Sequence, residues 1–314
     1  MKLLYIIPLA LLLSCCSSVK NQNGTSPNLD SQLLKDVQVL SSDAYQGRKT
    51  GTKGAEMARA YIVNRFIKLG LKSYPANVNY AQEFTFKSKG ATVNGTNIIG
   101  YIPGKSNNVV VISAHYDHLG IVKDVIFNGA DDNASGVAGL LKIAAWFSKN
   151  KPNNTIIFAA FDAEEVGLQG AKAFVSNPPV PINTISVNLN MDMISHSDKA
   201  ELYVCGTFKY PELKKYVVNN NPKIKVLMGH DDPKLGHDDW TNQSDQGAFY
   251  SKNIPFLYFG VEDHKDYHQS TDKFETITQP FFNDAVNAIL EIAKNIDRQT
   301  GLQLSLKNKT MMKN

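Results

Sequence analysis

The stretch VVVISAHYD, residues 109–117, and the stretch TIIFAAFDAEE, residues 155–165, have the same construction: an uncharged apolar run that ends abruptly in titratable residues. Runs this short, rich in β-branched and aromatic residues, fit strands buried on both faces better than helices. Between them, Val137, Leu140, Leu141, Ala144 and Phe147 fall on one face of a helix. Residues 184–190 and 254–259 repeat the strand pattern. Strands alternating with helices predict an α/β fold: a mixed, mostly parallel central sheet with helices on both faces.

Further out, residues 29–40 and 54–69 have helical spacing, the second ending at Gly70, while 80–86 and 96–102 read as edge strands or hairpins. The chain has 314 residues, 43% hydrophobic and 20% charged, without an internal repeat, so residues 29–314 are expected to form one domain. Thirty-three basic against 29 acidic residues leave +4, with no run of five or more like charges, which argues against nucleic acid as a partner. Of three cysteines, Cys15 and Cys16 are adjacent, so no disulfide framework is available.

The N-terminus reads as an address. Met1-Lys2, the 11-residue apolar run Leu3 to Leu13, and Ser14 before Cys15 make a signal-peptide pattern over residues 1–14. The run is shorter than the roughly 20 residues of a spanning helix. Leu12-Leu13-Ser14-Cys15 resembles a bacterial lipobox, which implies a lipid on Cys15 and a polar tether over 15–28. The expected location is the bacterial cell envelope, lipid-anchored and facing the periplasm.

Each inner strand is followed by residues able to bind a metal: His115 and Asp117, Asp162 with Glu164 and Glu165, Asp192, and a loop carrying His264 and His268. A fifth acidic turn, Gly129 to Gly136, precedes the central helix. Singly, each has a bland reading as a helix cap, a solvated acid pair or a stray histidine. Their repetition at the carboxyl ends of successive strands does not, and it predicts a metal site at that edge of the sheet.

His115-Tyr116-Asp117, the turn 129–136, Phe161 to Glu165 with Gly167 and Gly170, Asn190-Met191-Asp192-Met193, and Tyr267 to Asp272 together resemble metallopeptidase family 28, the co-catalytic dizinc aminopeptidases. The resemblance runs in order from about residue 40 to 290 and implies a three-layer zinc exopeptidase fold. It implies two Zn²⁺ ions, one held by His115 and Asp192, the other by Glu165 and His268, with Asp132 bridging. It assigns Glu164 as general base toward a bridging hydroxide and Asp117 as the carboxylate behind His115. It also implies peptide substrates with a free N-terminus, and no obligate protein partner is evident.

Rival readings are a glutaminyl cyclase with a single zinc, a carboxypeptidase or dipeptidase of the same family, and a binding protein on an inactive scaffold. Ser244-Asp245-Gln246 departs from the family's frequent Ser-Asp-His, and the irregular loop 228–242 has no chemistry assigned by the sequence. Trp240, Phe249, Tyr250 and Tyr267 are candidate walls of a substrate pocket. His118, His230, His237 and His264 stay unassigned.

Overall fold

The computed structural model describes residues 29–299. The expected signal peptide 1–14, the expected lipidation site Cys15 and the expected tether 15–28 lie outside the described residues. The chain opens with α1 (Ser31–Leu40), capped by the Asp30 carboxylate on the amides of Gln32 and Leu33, and α2 (Lys53–Leu69), which stops at left-handed Gly70. A hairpin of β1 (Ala81–Ser88) and β2 (Ala91–Ile102) leads into β3 (Val109–His115) and a small two-stranded excursion, β4 (Gly120–Val122) and β5 (Val125–Phe127). Then follow α3 (Gly136–Lys149), β6 (Thr155–Phe161), α4 (Gln169–Ser176), β7 (Ile185–Met191), β8 (Glu201–Cys205), β9 (Lys225–Met228), α5 (Gln246–Tyr250), β10 (Phe256–Gly260) and α6 (Gln279–Asp297).

The main sheet has the order β1-β2-β6-β3-β7-β10-β8-β9. Its four central strands, β6, β3, β7 and β10, are parallel, while the β1-β2 hairpin and β8 join antiparallel. The sheet is therefore mixed around a parallel centre, as the sequence predicts. Alternation along the central strands divides the side chains between two cores. Val110, Ile112 and Ala114 of β3 with Ile156, Phe158 and Ala160 of β6 pack under α1, α2, α3 and α6. Val109 and Val111 with Ile157, Ala159 and Phe161 face Phe174 of α4 and Phe249 of α5 on the other side. This two-sided burial is why these runs carry no charge.

Parallel strands bring their carboxyl ends to one edge. His115 pairs with Phe161, Ser113 with Asn190, and Phe259 with Met191, so the segments leaving β3, β6, β7 and β10 emerge side by side. A buried polar ladder fixes this register. Ser113 donates to Asn190 Oδ1 at 2.6 Å, Asn188 donates to Ser113 at 2.9 Å, and Asn190 donates to Ser244 and to Gln246, each at 3.0 Å.

Phe158 is fully buried in the larger core. Phe158→Ala is expected to cost about 3–5 kcal/mol through lost burial and a cavity, read as a lower urea midpoint at unchanged slope.

Candidate functional site

Beneath the site lies Arg48, which no sequence pattern singles out. Its fully buried guanidinium donates to the main-chain carbonyls of Leu40 (2.7 Å), Tyr116 (2.8 Å), Asn128 (2.6 Å) and Gly129 (2.8 Å). It thereby ties the exit of β3 to the acidic turn. Burial lowers its pKa to about 10, opposed by the charges of Asp132, Asp272, Asp117 and Glu165, so it stays a cation at neutral pH. Gly129 opens the turn at φ 59°, where a Cβ would stand 2.1 Å from the Asp132 carbonyl oxygen and 2.6 Å from the His118 ring. Only glycine fits there.

The turn places Asp132 centrally, with a cis Asp132-Asn133 peptide bond. Its neighbours hold it. The Asp272 carboxylate accepts the amides of Asp131 (2.8 Å) and Asp132 (3.0 Å), and Asp131 accepts from Ser195 N (2.7 Å) and bonds His264 Nε2 (2.9 Å). The Asn133 side chain donates to the Met191 carbonyl at 2.9 Å and accepts from Gly136 N at 2.8 Å, locking the turn to β7 and to the start of α3.

The two oxygens of Asp132 face different partners. Oδ1 lies 3.4 Å from His115 Nε2, which is itself 3.2 Å from Asp192 Oδ1. Oδ2 lies 3.1 Å from His268 Nε2, which is 3.3 Å from Glu165 Oε2. Donor atoms bound at roughly 2.0–2.1 Å around a tetrahedral ion stand roughly 3.3 Å apart, so both sets have the spacing of ligands sharing a zinc-like cation. His115 Nδ1 hydrogen-bonds the Asp117 carbonyl at 3.1 Å, which directs the Nε2 lone pair at the two carboxylates. A lone pair and carboxylate oxygens converge like this only around a cation, a proton or a metal ion. The residues present fit two metals sharing Asp132.

All five ligand positions read from the sequence, His115, Asp132, Glu165, Asp192 and His268, are thus brought together. The main-chain carbonyl of Asp117 accepts from His115 Nδ1 at 3.1 Å, and its carboxylate stands behind the same nitrogen at 3.7 Å. That carboxylate also accepts the amides of Glu164 (3.0 Å) and Glu165 (3.4 Å) and so positions the acid pair. His118 also reaches the site: its Nδ1 is 2.8 Å from Glu165 Oε1 and 3.5 Å from Asp132 Oδ2, so with these two carboxylates it too forms a group able to hold a metal ion. The clue in the sequence was its place on the turn that carries His115. His264 is occupied with Asp131 and is no rival to His268.

A cleft of about 340 Å³ opens over these groups, lined also by Glu164, Trp240, Tyr258, Asp263 and Tyr267. Trp240 and Tyr267 are therefore walls, as expected. Phe249 and Tyr250 are not: Phe249 packs against Phe161 and Phe174 in the core, and Tyr250 lies on Phe256 away from the cleft. Non-glycine residues with left-handed backbone sit next to or within the ligand set at Ala163 (φ 60°), Met193 (φ 57°) and His268 (φ 53°).

Electrostatics follow from crowding. Burial, then Asp192, Asp245 and Glu165, push Glu164 well above the usual carboxylate range against the pull of His115. Burial lifts Asp245, whose two oxygens have no hydrogen-bond partner, to about 8. Burial also opposes ionisation of Glu165, but hydrogen bonds with His118 and His268 hold it far below the usual range.

A model of peptidase family M28 matches residues 97–293, more than half of the chain, and the chain belongs to that family. "Leucine aminopeptidase 2" of Trichophyton equinum is 29% identical over 164 residues, 51% of this chain and 32% of the relative, so the match spans about a third of that protein's length. Among solved structures, a zinc aminopeptidase from Bacillus subtilis superposes with TM-score 0.65 at 17% identity, covering 83% of this chain and 93% of that one. Glutaminyl cyclase of Bacteroides thetaiotaomicron, bound to N-acetylhistamine, gives 0.69 at 18%, covering 85% and 99%. At such identities the likeness is one of fold.

Hydrogen bonds to Asp132 and Glu165 raise His268 to about 10, so a metal at Nε2 has to displace a proton at neutral pH. Zinc binding at pH 7 is expected to release about one proton or more per chain, measured by calorimetry in buffers of different ionisation enthalpy. Proton-neutral uptake would contradict His268 as a ligand.

Proposed function

We propose that the protein is a zinc aminopeptidase that removes N-terminal residues from peptides, with two zinc ions at the edge of the sheet. The observation that carries this reading is the division of Asp132, one oxygen toward His115 and Asp192, the other toward His268 and Glu165. Zinc held there would supply Lewis acidity toward the scissile carbonyl and would acidify the attacking water. His115, Asp192, Glu165 and His268 would hold the ions, with Asp132 shared between them. His118 orients Glu165 by its hydrogen bond, and the Asp117 carboxylate fixes the backbone of both glutamates.

Glu164 lies on the cleft wall beside the ligands without sharing their contacts. Its elevated affinity for protons suits a general base that takes a proton from water and returns it to the leaving amine. The cleft favours a free N-terminus over a free C-terminus. Among the described residues, Glu164, Asp192 and Asp263 line it and no lysine or arginine does, which supplies acidic partners for an α-ammonium. This argues for aminopeptidase over carboxypeptidase action. The lipobox reading, with Cys15 lipidated and the catalytic domain tethered at the bacterial cell envelope facing the periplasm, belongs to the same proposal.

Glu164→Gln is expected to keep its zinc by elemental analysis while turnover on an amino-acid amide falls at least about a hundredfold. Asp132→Ala is expected to lose metal and activity together. On paired peptides, cleavage confined to free N-termini supports the proposal. Ammonia release from N-terminal glutamine without hydrolysis would replace it with cyclisation, and equal cleavage of blocked peptides would refute it.

A further inference from the structure

A second group of donor atoms lies behind the cleft wall, where the loop 229–242 meets the residues that follow β10. His230 is 2% exposed, and its Nδ1 hydrogen-bonds the Asp238 carbonyl at 3.0 Å. A carbonyl only accepts, so this bond puts the proton on Nδ1 and leaves the lone pair on Nε2. That buried Nε2 has no hydrogen-bond partner, although Glu262 Oε1 stands 3.2 Å away. His237 Nδ1 lies 3.8 Å from the same oxygen, and the three ligand atoms are all within 4.8 Å of one another. These separations bracket the roughly 3.3 Å expected between donors on a tetrahedral ion. An imidazole held by a backbone carbonyl, with its other nitrogen aimed at a carboxylate, is the arrangement of a metal-ligating histidine.

We propose that His230, His237 and Glu262 form a further binding site for a divalent transition metal of the zinc class, separate from the pair around Asp132. Two imidazoles and one carboxylate supply three ligands, and the exposed side of the group, where His237 is 41% and Glu262 50% exposed, leaves the fourth position to water. The neighbouring group of His196, His264 and Asp266 differs, because both nitrogens of His264 are engaged, Nε2 with Asp131 and Nδ1 with the Asp266 amide.

The site bears on the cleft through Trp240. The His230 ring stacks on the indole at 3.3 Å and 12°, and the Trp240 amide donates to the His230 carbonyl at 2.8 Å. Trp240 in turn lines the cleft. A metal joining His230 and His237 to Glu262 fastens the loop to the segment after β10 and fixes this wall. That consequence rests on the peptidase reading of the cleft; the metal site does not.

The test is a zinc count by elemental analysis after equilibration at buffered free zinc, on the wild-type chain and on Glu262→Gln and His237→Ala, both at exposed positions that leave the core intact. The wild type is expected to hold about one zinc per chain more than either variant, with at least about a tenfold difference in affinity for that ion. Cobalt titration followed by tryptophan fluorescence is expected to lose its weakest quenching phase in both variants. Equal zinc content and equal quenching in all three proteins would overturn the proposal and leave His230 and Glu262 as an ion pair. Neither readout involves hydrolysis, so the outcome is independent of the aminopeptidase assignment.

Discussion

Carboxylates buried side by side have to be matched by positive charge or by hydrogen-bond donors, and this condition organizes the molecule. The edge of the sheet buries Asp117, Asp131, Asp132, Asp162, Asp192, Asp245 and Asp272 within one neighbourhood. The protein satisfies some of them from its own atoms. Asp272 and Asp117 take main-chain amides, Asp131 takes Ser195 and His264, and Asp162 takes the Thr96 amide and the Thr50 hydroxyl. Asp132, Asp192 and Glu165 are left facing imidazole nitrogens across ligand-like gaps. Arg48 is spent on carbonyls underneath. The remaining negative charge is what the proposed pair of divalent ions would answer.

Adjacent acids divide the labour. Asp131 looks down into the scaffold while Asp132 looks up into the cleft, and the two are clamped by the same Asp272 carboxylate. Asp117 serves His115 through its carbonyl and the acid pair through its carboxylate, joining the exits of β3 and β6. Asn133 joins the turn to β7. Asp132, the strand end before Asp192, and Glu165 are each held by a residue close to another ligand in sequence, Asp272, Asn133 and Asp117 in turn, which lets a few short segments carry both the site and its support.

Much of this was legible because it follows from local pattern. Parallel strands buried on both faces have to be apolar, so β3, β6, β7 and β10 announced themselves, and their ends located His115, Glu165, Asp192 and His268. β9, with the sequence KVLM and partial exposure throughout, carries no such pattern and was not separable from loop. Arg48 was invisible because its partners are carbonyls up to 81 residues away, which any sequence supplies. His118 carries no pattern of its own, because its role depends on the distance to Glu165 across two strand ends. Phe249 and Trp240 look alike as aromatics; only the packing of α5 against Phe174 separates a core ring from a cleft wall.

The central claim is that Asp132 stands between two metal ions at the carboxyl edge of the sheet. Anomalous diffraction at the zinc edge from zinc-loaded crystals tests it most directly. The account predicts two peaks roughly 3.5 Å apart, one on either side of Asp132, the first beside His115 and Asp192 and the second beside His268 and Glu165. A single peak at this edge of the sheet, or a peak there that Asp132 does not touch, would contradict it.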